Sequence, residues 1–222
     1  MLLLLLFVVI VIAIAIWWWS RPKERLRYYV IHLDGHETRR RHIDDMERTL
    51  GQPIRKVSAV KGSDISDREF KHVQMHSTHF YNKNELGCYK SHQKAVSLLK
   101  HEPCEYAVIF EDDFLIQPDT HETLLQILDD VPDFDFMMIG NDFHDEQPHR
   151  TYTVPPRMAG GAHAVLINCS RASTIEHFLK HVTGPIDDRY YDLMLSYTLD
   201  GLVVQPSVVK VNTKLLSTLG HF

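Results

Sequence analysis

Three consecutive carboxylates, Glu111-Asp112-Asp113, follow the apolar run Ala107-Val108-Ile109-Phe110. Adjacent carboxylates repel one another and persist where water solvates them or a cation neutralises them. Oxygen donors of this kind suit Mg²⁺ or Mn²⁺, which keep part of their water shell and bind substrate phosphates as well. Taken alone, the triplet reads equally as a solvated acidic turn. Its position favours the metal, because an apolar strand running into carboxylates sets them at a strand's carboxyl end, where open α/β sheets bind ligands. No other signature competes. There is no G-x-G-x-x-G after the first predicted strand, no Walker A loop and no G-x-S-x-G elbow. The fifteen histidines lack zinc-motif spacing, and the three cysteines are scattered. His92 and His163 are the histidines beside motif-like segments.

The elements that must position the triplet follow from hydrophobic period. Residues 28–33 form a β-branched and aromatic run ending in the turn-prone Asp34-Gly35, and predict a strand. Residues 37–50 predict a helix, with Ile43, Met46 and Leu50 at helical spacing and Gly51 as the stop. A second strand is expected over 54–60. Residues 61–84 show no sustained period and predict a long functional loop. Then come a helix over 85–100, a strand over 106–110, a helix over 120–128 and a buried strand over 134–139 closing at Gly140. Gly160-Gly161 opens an apolar stretch over 162–167, and Ser170 caps a helix to about 181. A helix over 187–199 and a strand over 202–204, halted near Pro206, complete the chain. Strands alternating with helices predict an α/β fold with a mostly parallel sheet.

Composition bounds the function classes. The chain has 222 residues, 44% of them apolar, with 24 basic and 29 acidic side chains and a net charge of −5. That mixture excludes a disordered tail, and the acidic balance excludes the basic footprint of a nucleic-acid binder. Residues 2–19 carry no charged or polar side chain. As a helix they span about 27 Å, close to a bilayer's hydrocarbon thickness, and Trp17, Trp18 and Trp19 stand where an interfacial aromatic belt would sit. The expectation is therefore an N-terminal transmembrane anchor over 1–20, a basic juxtamembrane linker over 21–27 and one catalytic domain over 28–222. That domain, without the four basic side chains and one acidic side chain before it, carries −8. Such a charge repels phosphorylated ligands unless a cation or local basic pocket intervenes. Arg21, Lys23, Arg25 and Arg27 place the domain in the cytosol by the positive-inside rule. Three retained thiols, at Cys88, Cys104 and Cys169, agree with a reducing compartment. The Asn168-Cys169-Ser170 sequon would matter only in a lumen, and keeps that placement open.

Several segments together resemble glycosyltransferase family 25, the lipooligosaccharide and collagen galactosyltransferases. Val30-Ile31-His32-Leu33-Asp34 with Arg39 and Arg40 resembles the family's opening strand and its arginine. Ala59-Val60-Lys61-Gly62 resembles its A-x-D-G turn, and Glu85-Leu86-Gly87-Cys88 with Ser91-His92 its E-[IL]-G-C-x-x-S-H segment. Val108 to Asp113 resembles its I-[LF]-E-D-D strand. Gly161 to Ile167 with Arg171-Ala172 is similar to its late strand block, and Pro185-Ile186-Asp187 to its P-I-D. Two departures stand out: Lys61 replaces a usual aspartate and Val165 a usual tyrosine.

The resemblance implies a GT-A-like nucleotide-diphospho-sugar transferase fold. It implies an inverting transfer of a hexose, galactose from UDP-galactose above all, to a hydroxyl of a glycan, lipooligosaccharide or glycoprotein. Mn²⁺ or Mg²⁺ would be held by Glu111 and Asp113, with His163 or His221 as a further ligand. Leu33, Arg39, Glu85, Ser91, His92 and Asp112 would bind the donor. Asp187, then Asp188, is the candidate base, with Asp142 as an outsider; helix capping for the first two and a turn for Asp142 explain these residues equally well. The competing readings are a non-catalytic module that binds sugar nucleotide or glycan, and a metal-dependent phosphohydrolase.

Overall fold

The computed structural model describes residues 7, 10, 24–77, 80, 82–141, 149–154 and 160–215. Strand β1 (Glu24–His32) owes its place in the sheet interior to Tyr28, Tyr29, Val30 and Ile31, all buried and all of types that suit a pleated surface. Successive side chains point to opposite faces, so Tyr29 and Ile31 enter one hydrophobic cluster while Leu26, Tyr28 and Val30 enter another. The same alternation runs through β3 (Cys104–Glu111), β5 (Phe136–Gly140) and β7 (Ala164–Asn168). Helices cover both faces. Ile43 and Leu50 of α1 (Glu37–Leu50) and Leu124, Ile127 and Leu128 of α4 (Thr120–Asp130) fill one cluster. The other is filled from α3 (Lys83–Leu99), α5 (Ala172–Leu179) and α6 (Ile186–Leu195). The result is three layers, helix on sheet on helix.

With β2 (Ile54–Ser58), β6 (Thr151–Thr153) and β8 (Gly201–Gln205), the sheet order is β2-β1-β3-β7-β5-β8-β6. Both β2 and β3 run parallel to β1. The chain leaves β1 through α1 to β2 on one side, then returns to β3 on the other. The strand order therefore reverses between β1 and β3, and a crevice opens at their carboxyl ends. A small second sheet, β4 (Phe114–Leu115) against β9 (Lys210–Val211), lies just beyond.

Four expectations need correction or refinement. The sheet is mostly parallel, with β1, β2, β3, β5 and β8 running one way, but it is mixed: β7 runs antiparallel to both β3 and β5, and β6 antiparallel to β8. Hydrophobic period reports burial, not strand direction. Residues 61–84 are not one loop, for they hold a 3₁₀ turn (Gly62–Asp64) and helix α2 (Asp67–His76). Ser66 caps α2 by accepting from the Glu69 N–H. That S-x-x-E start is a readable signal, but with no residue of α2 fully buried the helical stripe is weak. The third correction concerns the thiols: Cys104 and Cys169 are disulfide-bonded across β3 and the end of β7, with Cα atoms 6.2 Å apart, and Cys88 is the free cysteine. Finally, β1 starts at Glu24, inside the expected linker, because Glu24 and Leu26 pair with Cys104 and Tyr106. The expected anchor over 1–20 lies outside the described residues except Phe7 and Ile10, both helical and exposed. Among the described residues no helix is long and apolar enough to cross a membrane.

Candidate active site

The triplet leaves β3 with its side chains directed to different partners, as strand alternation requires. Asp112 turns toward α1 and is buried with Arg39. Arg39 Nη1 ion-pairs with one oxygen of Asp112, while the other lies 3.2 Å from His32 Nδ1 and accepts from the Leu33 N–H at 3.4 Å. Arg39 also reaches Asp113 Oδ2 at 3.5 Å. Glu111 turns toward α3. Its Oε1 lies 3.2 Å from His92 Nε2 and 3.4 Å from Cys88 Sγ, and its Oε2 lies 3.9 Å from His163 Nδ1.

These contacts push the carboxylates in opposite directions. Burial raises the Glu111 pKa, but the neighbouring imidazoles of His163 and His92 outweigh it and hold the group well below the usual carboxylate range. Burial and the charge of Glu111 raise Asp113, against a smaller opposing pull from Arg39. Burial, then the neighbouring Glu111, pushes the Cys88 thiol well up.

The segment Glu85-Leu86-Gly87-Cys88 with Ser91-His92 forms the opposite wall. Asn82 starts α3 by accepting from the Asn84 and Glu85 N–H groups. Gly87 lets the helix press onto the 60–62 turn, for a Cβ there would lie 2.6 Å from the Val60 carbonyl. Ser91 Oγ accepts from the Val60 N–H at 2.8 Å and donates to the Gly87 carbonyl at 2.7 Å. Ser91 is thus a positioning residue for the turn that carries Lys61 and Gly62.

A cleft of about 770 Å³ opens over these groups. Of the expected site residues, Leu33, Arg39, Ser91, Glu111, Asp112 and Asp113 line it. His92 is fully buried and acts through Glu111. Glu85 is buried in the first turn of α3 and is not a lining side chain. Asp187, in the first turn of α6, accepts from the Gly161 N–H at 3.2 Å and stands close enough to Cys88 to raise its pKa. Asp188 lies over Gly184. His221 and Asp142 fall outside the described residues. Sequence reasoning missed His32, Cys88 and Lys214 as site residues, and treated Lys61 only as a departure from the family pattern, although Lys61 and Lys214 both line the cleft. The spacing of Cys88 and His92 offered a signal, since residues four apart share one helical face.

The residues fit a divalent cation. Ligand atoms of Glu111, Asp113 and His163 lie within 4.8 Å of one another, and Asp113 Oδ1 is buried with no hydrogen-bond partner among the described residues. A buried carboxylate oxygen without a donor is costly and needs an explanation. Asp112, in contrast, is committed to Arg39 and His32.

Comparison with curated proteins returns no match. Among solved structures, the chain is similar to a Staphylococcus aureus TarS structure (residues 1–349), at 10% identity and a TM-score of 0.49, covering 84% of this chain and 60% of that one. It thus spans less than two thirds of the TarS structure. It is also similar to a glycosyltransferase involved in glycosylation of the major capsid of PBCV-1 (8% identity, TM-score 0.37, 76% and 66% covered). A third similarity is to 4-diphosphocytidyl-2C-methyl-D-erythritol synthase from Anaerococcus prevotii DSM 20548 (10% identity, TM-score 0.40, 86% and 94% covered). The sequence profile of glycosyltransferase family 25, described as an LPS biosynthesis protein, matches residues 26–158, leaving His163 and Asp187 beyond its end. A match over more than half of the chain, taking in β1, the Gly62 turn, α3 and the Glu111–Asp113 triplet, makes this chain a member of glycosyltransferase family 25.

Proposed function

We propose that the chain is a divalent-metal-dependent inverting hexosyltransferase that takes a nucleotide-diphosphate sugar, UDP-galactose first among donors, and a glycan hydroxyl as acceptor. The observation that carries this reading is the unpartnered Asp113 Oδ1 beside Glu111 and His163 on the wall of a cleft sized for a nucleotide sugar. When bound there, a divalent cation supplies Lewis-acid neutralisation of the diphosphate leaving group. Arg39 holds Asp112 and the end of β1 in place; Lys61 and Lys214 bring positive charge to an otherwise acidic cleft. The base is Asp187. Its carboxylate takes the acceptor proton while the acceptor oxygen bonds to the anomeric carbon, opposite the breaking bond to the diphosphate. The Gly161 N–H fixes one carboxylate oxygen.

Residues 2–19 tether the domain in this reading. The Cys104–Cys169 disulfide argues for an oxidising compartment, against the cytosolic placement that the flanking charges suggest. Protease protection of the domain in sealed vesicles tests that placement.

The full chain, assayed with UDP-galactose and a panel of glycan acceptors, is expected to transfer with Mn²⁺ or Mg²⁺ and to stop in EDTA. Undiminished transfer in EDTA rejects the metal role. Asp187→Asn is expected to lower kcat by about 10²–10⁴-fold with little change in donor KM. Wild-type turnover in that variant moves the base elsewhere.

A further inference from the structure

Glu111 has two oxygens, and only one of them, Oε2, faces His163. The other, Oε1, meets Cys88 Sγ at 3.4 Å and His92 Nε2 at 3.2 Å. The three donor atoms lie within 4.8 Å of one another. Cys88 and His92 are four residues apart on α3, a rigid element packed into the core.

The spacing matches a tetrahedral ion. With Zn–N and Zn–O bonds near ~2.1 Å and Zn–S near ~2.3 Å, tetrahedral edges come to about 3.4 Å for N–O and about 3.6 Å for S–O. The separations in the protein are within a few tenths of an ångström of both. The donor set also differs in kind from the neighbouring one. Sulfur and imidazole select softer cations of the zinc class, whereas Glu111, Asp113 and His163 form an oxygen-richer set suited to Mn²⁺ or Mg²⁺. Cys88 lines the cleft, so an ion reaches this set from solvent and keeps water as a fourth ligand.

We propose that Cys88, His92 and Glu111 Oε1 form a second, soft-metal site of the Zn²⁺ class that shares Glu111 with the Mn²⁺/Mg²⁺ set. On binding, the Cys88 thiol releases its proton to solvent and its sulfur bonds the ion. The His92 ring moves its proton from Nε2 to Nδ1, freeing the Nε2 lone pair. His92 Nδ1 is buried without a hydrogen-bond partner among the described residues. No outer-shell carboxylate therefore supports the ring, and affinity falls about 10–100-fold below a supported site. The site is accordingly a reversible one. Occupancy draws on Glu111, so Zn²⁺ slows any reaction that needs Glu111 for the harder cation.

The test needs no nucleotide and no turnover, so it is independent of the proposed transfer. Co²⁺, as a spectroscopic substitute for zinc, is titrated into the full chain with its disulfide intact. The expected result is a near-ultraviolet thiolate-to-cobalt charge-transfer band. It is lost in Cys88→Ser and kept in Asp113→Asn. Absence of the band in wild type, its survival in Cys88→Ser or its loss in Asp113→Asn overturns the proposal. Should Cys88→Ser fail to fold, zinc-edge absorption on the wild-type chain decides. One sulfur scatterer at about 2.3 Å supports the site, and a shell of nitrogen and oxygen alone overturns it.

Discussion

The two sides of the cleft floor are built differently. On one side, Asp112 is buried between Arg39, His32 and the Leu33 N–H, and Glu111 is held by His92, Cys88 and His163. On the other, Asp113 has a buried oxygen with no partner among the described residues, and the exposed Lys61 and Lys214 line the opening. Three adjacent carboxylates at a strand end thus do not form one equivalent ligand set. Protein groups already neutralise Asp112 and hold Glu111 ionised, and the unmet demand concentrates on Asp113. Partner count, more than proximity to a strand end, separates Asp112, which fixes the fold, from Asp113, which is poised to meet a ligand, with Glu111 held between the two.

The sharpest way to break this comparison is on the fixed side. Arg39→Ala leaves Asp112 as a buried charge without its cation, a loss worth about 3–5 kcal/mol of stability. Urea unfolding of the metal-free chain should show a midpoint shifted down accordingly. An unchanged midpoint means that Asp112 does not depend on Arg39.

On the open side the sign reverses. Asp113→Asn should reduce metal-stimulated transfer by about 10²–10³-fold, comparable to removing one electrostatic stabiliser of a transition state. Yet the metal-free variant should melt higher than wild type at neutral pH. The pKa of Asp113 is raised by burial and by Glu111. Its ionisation penalty is absent below the unfolded value of about 3.9 and grows as pH rises through the raised value. The melting advantage of Asn should therefore grow from acid to neutral pH. Glu111→Gln is the mirror image. The pKa of Glu111 is lowered against burial by its histidine partners. Its stabilisation is present above the unfolded value of about 4.3 and is lost as pH falls toward the lowered one. A thermal-melting series in which both variants shift the same way at neutral pH refutes the division.

How far this was legible in sequence differs between the same two sides. The strand that delivers Glu111 to Asp113, the helix that delivers Cys88 and His92, and the presence of Arg39 near the site could all be read from periodicity and motif. Which carboxylate pairs with which group could not, because it depends on the direction each side chain takes at the end of β3 and on contacts 19 to 80 residues apart along the chain. The antiparallel β7 was hidden for a related reason: Ala164 to Ile167 is buried on both faces, and such a run reads alike in either direction. Cys104 and Cys169 meet only because β7 brings Asn168 opposite Tyr106.

The smallest expected effect tests whether the open side acts by charge alone. Lys61 stands on the turn that Ser91 and Gly87 fasten to α3, and its side chain is exposed at the cleft. An exposed cation facing a diphosphate is screened by water and salt, and pairs of this kind contribute about 0.2–1 kcal/mol. Lys61→Ala should therefore raise the donor KM by roughly 1.4- to 5-fold at low ionic strength. It should leave kcat and the melting temperature near wild type, because a contact made equally in the ground and transition states alters binding only. Raising the salt concentration should shrink the difference, as the Debye length falls to about 8 Å at physiological ionic strength. A comparable fall in kcat would assign Lys61 to charge developing in the transition state and divide the open side again. A KM difference that persists at high salt would point to a shaped contact with the donor, in which the methylene stem of Lys61 packs as much as its charge attracts.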